Sequence, residues 1–173
     1  MNQRCPLDEQ QCGQVIRRTE EIVQRLAQEL GMDLPMIPVL FDLRGRSAGM
    51  YRVKKNQRVI RYNPRLFSRY YRENLEGTVP HEAAHYAVDM LYGTARTRPH
   101  GREWQAVMRL LGADPRVTCD FDMSDIPQRR YRRFGYRCIC RRHELTSIRH
   151  HRVLRGARYY CRVCKQLLVA AER

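Results

Sequence analysis

An α+β fold in two parts is predicted for this chain of 173 residues. Residues 1–128 form a core of helices with a small β-sheet, and residues 129–173 form a small β subdomain held by metal. Three observations predict it. Apolar residues recur at helical spacing in three separate stretches. Short apolar runs bounded by turn residues fall between the first and second of these. Two close cysteine pairs, Cys138/Cys140 and Cys161/Cys164, end the chain.

The first helix is expected over Gln14–Leu30, where Val15, Ile16, Ile22, Val23, Leu26 and Leu30 share a face and Gly31 supplies a stop. Strands are expected at Ile37–Leu43, Gly49–Val53 and Val59–Asn63, with Lys54–Gln57 as a polar hairpin turn. Asn63-Pro64 then closes the third strand and opens a short helix around Leu66–Tyr71. An edge of this sheet could accept an extended peptide.

The second helix carries Val79-Pro80-His81-Glu82-Ala83-Ala84-His85. Histidines four apart lie one turn apart on one helix face, so two neutral imidazoles can hold one metal ion while Glu82 stands beside it as a proton acceptor. Pro80 admits two readings: the helix starts near Thr78, or it begins earlier and is bent there. The longer, bent helix ending at Gly93 is favoured, because Leu75 and Val79 extend the apolar pattern. A third helix follows from Trp104, Val107, Met108 and Leu111, closed by Gly112. His100 stands at its N-terminal end and can fold back as a third ligand, leaving one tetrahedral position for water; the competing account is a capping or surface histidine.

Charge separates the two parts. The chain has 33 basic and 18 acidic residues, net +15; residues 129–173 alone carry 14 and 2, nearly all the basic ones being Arg. Guanidinium groups fork onto phosphate, so this segment is expected to attract nucleic acid, through Arg129, Arg130, Arg132, Arg133, Arg149, Arg152 and Arg155. Tyr131, Phe134 and Tyr136 interleave with them and suit base stacking; the equal alternative is a linker whose aromatics pack on the core. At 43% hydrophobic residues the chain is no disordered basic tail. No apolar run approaches the roughly 18 residues of a membrane span, and the first residues do not read as a secretory signal, so a cytoplasmic or nucleoid-associated protein is expected.

Paired cysteines in such a chain speak for metal before disulfide. Cys138, Cys140, Cys161 and Cys164 are expected to hold a structural zinc in a zinc ribbon, its hairpin running over Leu145–His151 and Ala157–Tyr160. The one-residue spacing of the first pair leaves His143 as an alternative ligand in place of Cys138 or Cys140. His150 and His151 are expected to project from the hairpin rather than bind metal. Cys5, Cys12 and Cys119 read as thiols in no disulfide, and the acidic loop Cys119–Pro127 as solvated.

The His81–His85 motif, His100-Gly101-x-x-Trp104, Ile60-Arg61-Tyr62-Asn63-Pro64 and the C-terminal Cys-x-Cys…Cys-x-x-Cys, in this order, resemble the SprT family across nearly the entire chain. The resemblance implies a zincin-like metallopeptidase core with His81, His85 and His100 on a catalytic zinc and Glu82 as catalytic base. Eukaryotic relatives, the Spartan and Wss1 proteases, degrade proteins crosslinked to DNA, which suits the basic C-terminal segment. The resulting expectation is zinc-dependent hydrolysis of protein substrates in association with DNA. The alternative is a non-catalytic, zinc-containing nucleic-acid-binding protein.

Overall fold

The computed structural model describes residues 6–116, 121–122 and 132–171. Cys5, Cys119, Asp120, Asp125, Arg129, Arg130 and Tyr131 lie outside the described residues. The chain divides into two compact units, Met1–Pro127 and Gln128–Arg173.

In the first unit, α1 spans Glu9–Leu30. It starts a turn and a half before the expected Gln14 because Asp8 and Gln11 close a reciprocal capping box: the Gln11 N–H donates to Asp8, and the Asp8 N–H to the Gln11 side chain. Gly31, at φ 60°, ends it. Three short strands follow, β1 (Val39–Leu40), β2 (Gly49–Lys54) and β3 (Gln57–Tyr62). They lie in the order β1-β3-β2, with β1 parallel and β2 antiparallel to β3. β1 keeps only two of the seven residues expected to be extended there. Lys55 and Asn56, both at positive φ, form the two-residue turn between β2 and β3.

Asn63 is buried and fixes where β2 begins. Its Nδ2 donates to the carbonyls of Gly45 and Ser47, while its Oδ1 accepts from the Arg65 N–H at the start of α2 (Pro64–Arg69). One side chain thereby ties the 45–48 turn to the end of β3.

Pro80 lies inside a longer helical path. α3 (Tyr71–Glu73) runs into a π-helical turn, Asn74–Thr78, and then into α4 (Val79–Tyr92). The Val79 N–H reaches back five residues to Asn74, a widening that accommodates a proline with no N–H of its own. Buried Asn74 braces the turn, donating to the carbonyls of Leu66 and Tyr70 and accepting from the Thr78 hydroxyl. α5 spans Arg102–Leu110. The core gathers Val15, Ile22 and Leu26 of α1, Ile60 and Tyr62 of β3, Ala83 and Ala87 of α4, and Trp104 and Met108 of α5.

The second unit has a sheet of order β5-β4-β6, from β4 (Arg133–Arg137), β5 (Arg142–Thr146) and β6 (Val169–Ala170). One expectation is corrected here. Only Leu145 and Thr146 of the Leu145–His151 strand are extended; Ser147–Leu154 is a helix, α6, and the antiparallel hairpin is β4–β5, closed by the first cysteine pair. Ser147–Leu154 has no alternation of apolar and polar residues, whereas its Arg and Leu suit a helix begun from an extended Thr146. On this helix His151 is exposed, as expected, whereas His150 packs inward, with Nδ1 3.0 Å from the Tyr136 hydroxyl. The apolar centre of this unit is small: Tyr136, Leu145, Cys161 and Leu168. Among the described residues, no helix is long and apolar enough to cross a membrane.

Candidate metal centre

α4 presents His81 and His85 on one face, and the turn before α5 brings His100 to them. Their Nε2 atoms lie 3.2 Å (His81–His85), 3.1 Å (His85–His100) and 3.0 Å (His81–His100) apart. Nitrogens each about 2.0–2.1 Å from one tetrahedral zinc stand about 3.3 Å apart, so this donor set fits zinc. Burial lowers all three imidazoles, His81 to about 4 and His85 to about 3, these two being further depressed by the neighbouring histidines. They are neutral near pH 7, the form that binds metal.

His100 takes a left-handed backbone conformation, φ 59°, uncommon for a residue other than glycine though less so for histidine than for most. Gly101 follows because a Cβ there would come within 2.9 Å of the Arg98 carbonyl oxygen. The loop therefore turns tightly enough to aim His100 back at α4.

Trp104 backs the cluster. Its ring centroid lies 4.7 Å from that of His81 and 4.8 Å from that of His100, and its Nε1 donates to the His81 carbonyl at 3.2 Å. The sequence pattern makes Trp104 an ordinary core residue of α5; its position four residues after His100 was the available signal.

Glu82 is buried beside the histidines, with 5% of its surface exposed. Its Oε2 accepts from the Tyr51 N–H at 2.6 Å. Burial raises its carboxyl to about 7, against the opposing pull of that amide. Gly49 makes the approach feasible: a Cβ there would lie 2.6 Å from Glu82 Cγ and Oε1 and 2.7 Å from Thr78 Cγ2. Neither Gly49 nor Tyr51 can be recognised as part of the site from residue type or spacing, since β2 reaches α4 only through the fold. Together these residues line a cleft of about 380 Å³, whose further walls include Met50, Val88 and Arg98.

In the second unit Cys138, Cys140, Cys161 and Cys164 place their sulfurs within 4.8 Å of one another. The Cys138–Cys140 and Cys140–Cys161 separations, 3.4 and 3.7 Å, lie a little below the roughly 3.8 Å of a tetrahedral zinc–thiolate set. His143 stands outside this group of four, with Nε2 3.2 Å from Cys138 Sγ. Crowding divides the thiols. Hydrogen bonding with Cys138 and Cys164 pushes Cys140 up to about 12, while Cys138 falls to about 5, its burial outweighed by His143 and nearby donors. Four such sulfurs cannot all ionise without a cation among them, which is the chemistry of a metal site.

Of the arginines singled out from sequence, Arg132, Arg133, Arg149, Arg152 and Arg155 are described and exposed. Arg149 and Arg152 lie a turn apart on α6, Arg155 caps its C-terminus, and Arg132 lies over the Phe134 ring at 5.2 Å. Phe134 also stacks on His150, centroids 3.8 Å apart, and so packs within the unit.

Residues 19–127 match the SprT-like family model. The chain belongs to the SprT-like family. Proteins named SprT resemble it over most of their length: that of Pseudomonas paraeruginosa is 39% identical over 160 residues, 88% of this chain and 87% of the relative. The SprT of Klebsiella pneumoniae is 42% identical over 136 residues, 78% of each chain. That of Pasteurella multocida is 35% identical over 158 residues, 90% of this chain and 92% of the relative. No solved structure matches the chain significantly. The SprT-like region thus contains all three histidines, Glu82, Gly49, Tyr51 and Trp104, and ends before the cysteine cluster.

Proposed function

We propose that this SprT-like chain is a zinc metallopeptidase of zincin-like architecture that cleaves protein substrates in association with DNA. The observation that carries the reading is the convergence of three neutral imidazoles beside a buried carboxylate at the floor of a cleft. His81, His85 and His100 would hold the catalytic zinc; Cys138, Cys140, Cys161 and Cys164 would hold a structural one, with His143 bonded to Cys138 from outside the set. Zinc in a three-histidine site supplies Lewis acidity toward a peptide carbonyl and makes water more acidic.

The chain's own residues do the rest. Glu82 Oε2 is engaged by the Tyr51 amide. Its Oε1 is left to take a proton from the attacking water and return it to the leaving amine. β2 is the free edge of its sheet and lines the cleft with Gly49, Met50 and Tyr51, so an extended substrate would lie along it. The Tyr51 N–H is already taken by Glu82, which leaves main-chain pairing to the outward groups nearby, such as those of Val53.

The basic residues of the second unit support the DNA association. Among the described residues, none of Arg132, Arg133, Arg149, Arg152 and Arg155 is paired with a carboxylate. A hollow of about 880 Å³ beside the first cysteine pair adds Arg137, Arg141 and Arg142.

The test is cleavage of a flexible protein such as casein by the zinc-loaded chain and by Glu82→Gln, with and without DNA. Glu82→Gln should keep both zinc ions and lose cleavage. Equal cleavage by the two proteins would overturn the assignment of Glu82 as base, and absence of cleavage by both would favour a non-catalytic zinc-containing nucleic-acid-binding protein.

A further inference from the structure

The geometry points to Tyr51 and Asp89 as positioning residues for Glu82, an inference that rests on the reading of Glu82 as the base. Asp89 follows Glu82 by seven residues, two turns along α4, and both reach the same residue of β2. Glu82 grips Tyr51 at its amide, 2.6 Å from N to Oε2, and Asp89 grips it at its phenol, 2.6 Å from OH to Oδ2.

Asp89 is itself over-determined. Its Oδ2 also accepts from Arg58 Nε of β3 at 2.7 Å, and its Oδ1 from the Thr94 N–H at 2.9 Å. A carboxylate only 6% exposed is thus bonded by three donors from three segments, which holds it in one orientation. The Tyr51 ring lies against Tyr86 of α4, centroids 6.0 Å apart. Ring packing and the hydrogen bond together hold the phenol against α4.

Register explains why the amide is available. Tyr51 stands opposite Ile60, whose N–H donates to the Pro38 carbonyl on the β1 side of the sheet. In an antiparallel ladder such a residue turns its own N–H away from its partner strand. At Tyr51 that direction is the free edge of β2, and Glu82 meets the group there. Gly49, two residues earlier, points the same way and leaves the space the carboxylate occupies. Asp89 touches neither Glu82 nor the histidine nitrogens. It acts through Tyr51, by fixing the strand whose amide holds Oε2 and leaves Oε1 for the proton.

The experiment uses the full zinc-loaded chain and the variants Tyr51→Phe, Asp89→Asn and Glu82→Gln. Amide hydrogen exchange at residue 51 is followed by NMR, alongside zinc content and kcat and KM for a fluorogenic peptide. Tyr51→Phe should retain zinc and KM, lower kcat on the order of tenfold and speed exchange of the residue-51 amide. Asp89→Asn should do the same in milder form, since the amide oxygen still accepts one donor. Should Asp89→Asn fail to fold, Tyr51→Phe, which removes one hydroxyl, decides the matter. Wild-type kcat or unchanged residue-51 exchange in Tyr51→Phe would overturn the proposal. Cleavage surviving in Glu82→Gln would instead sink the base assignment, and the exchange of residue 51 would still report on the clamp.

Discussion

The indole of Trp104 donates to the carbonyl of His81 across 3.2 Å, joining α5 to the first turn of the helix that carries two of the three histidines. The same ring lies against all three imidazoles. Trp104→Phe keeps most of the packing and removes the hydrogen bond. It is expected to weaken zinc binding at the histidine site by about 1 kcal/mol, roughly fivefold. Competition with a chromophoric chelator measures this; undiminished affinity would show that the indole only fills space.

Gly49→Ala puts a methyl group 2.6 Å from Glu82 Cγ and Oε1. Either β2 or Glu82 must move, at a cost of about 1–3 kcal/mol. The variant should keep zinc, because no histidine is displaced directly, and should lose most cleavage. Parallel metal analysis and peptide hydrolysis separate the two effects. Full cleavage in Gly49→Ala would mean that the carboxylate position seen here is not the working one.

Metal-free stability should depend on pH in a definite direction. His81 and His85 titrate at about 4 and about 3 when folded against 6.5 when unfolded, so the unfolded chain binds more protons below 6.5. Glu82 titrates at about 7 when folded against 4.5, so the folded chain binds one more proton between these values. Two histidines outweigh one glutamate. Stability should therefore rise from about pH 4.5 to 6.5, and Glu82→Gln, which removes the opposing group, should steepen the rise. Urea midpoints of chelator-treated protein across this range provide the measurement. A fall in stability over the same interval would contradict the buried, neutral state of the histidines.

Zinc stoichiometry distinguishes the cysteine set from its alternative. Cys140→Ser or Cys161→Ser should reduce two zinc ions per chain to one and unfold the second unit, whose small apolar centre is insufficient by itself. His143→Ala should retain two, with weaker binding at the second site on the order of tenfold. Loss of a whole equivalent in His143→Ala would make His143 a ligand.

Salt should govern DNA affinity. Each arginine that contacts a phosphate contributes a slope of roughly −0.9 in the logarithmic salt plot, so Arg149→Ala with Arg152→Ala should flatten it by about 2. Fluorescence anisotropy between low and physiological salt tests this. An unchanged slope would exclude α6 from the contact.

The main helices and their C-terminal stops were legible because local periodicity and stop residues carry them: Gly31 ends α1 and Gly112 follows α5 at positive φ. The segment Ser147–Leu154 was not, since its arginines and histidines form no decisive period and the competing hairpin lay a few residues earlier, in β4 and β5. In the first unit the start of α1 depended on a side-chain cap, which moved its boundary but not its face.

By itself the sequence determined the chemistry: two histidines one helical turn apart, a third before a packing helix, four cysteines in pairs and a basic C-terminal segment. Those follow from residue type and short spacing, which the chain carries locally. Only the tertiary structure decided what surrounds Glu82, namely the Gly49 gap, the Tyr51 amide, the Asp89 anchor and the Trp104 wall. These residues are separated along the chain by up to 55 positions, and the contacts among them arise from strand register and helix packing, which no local pattern encodes.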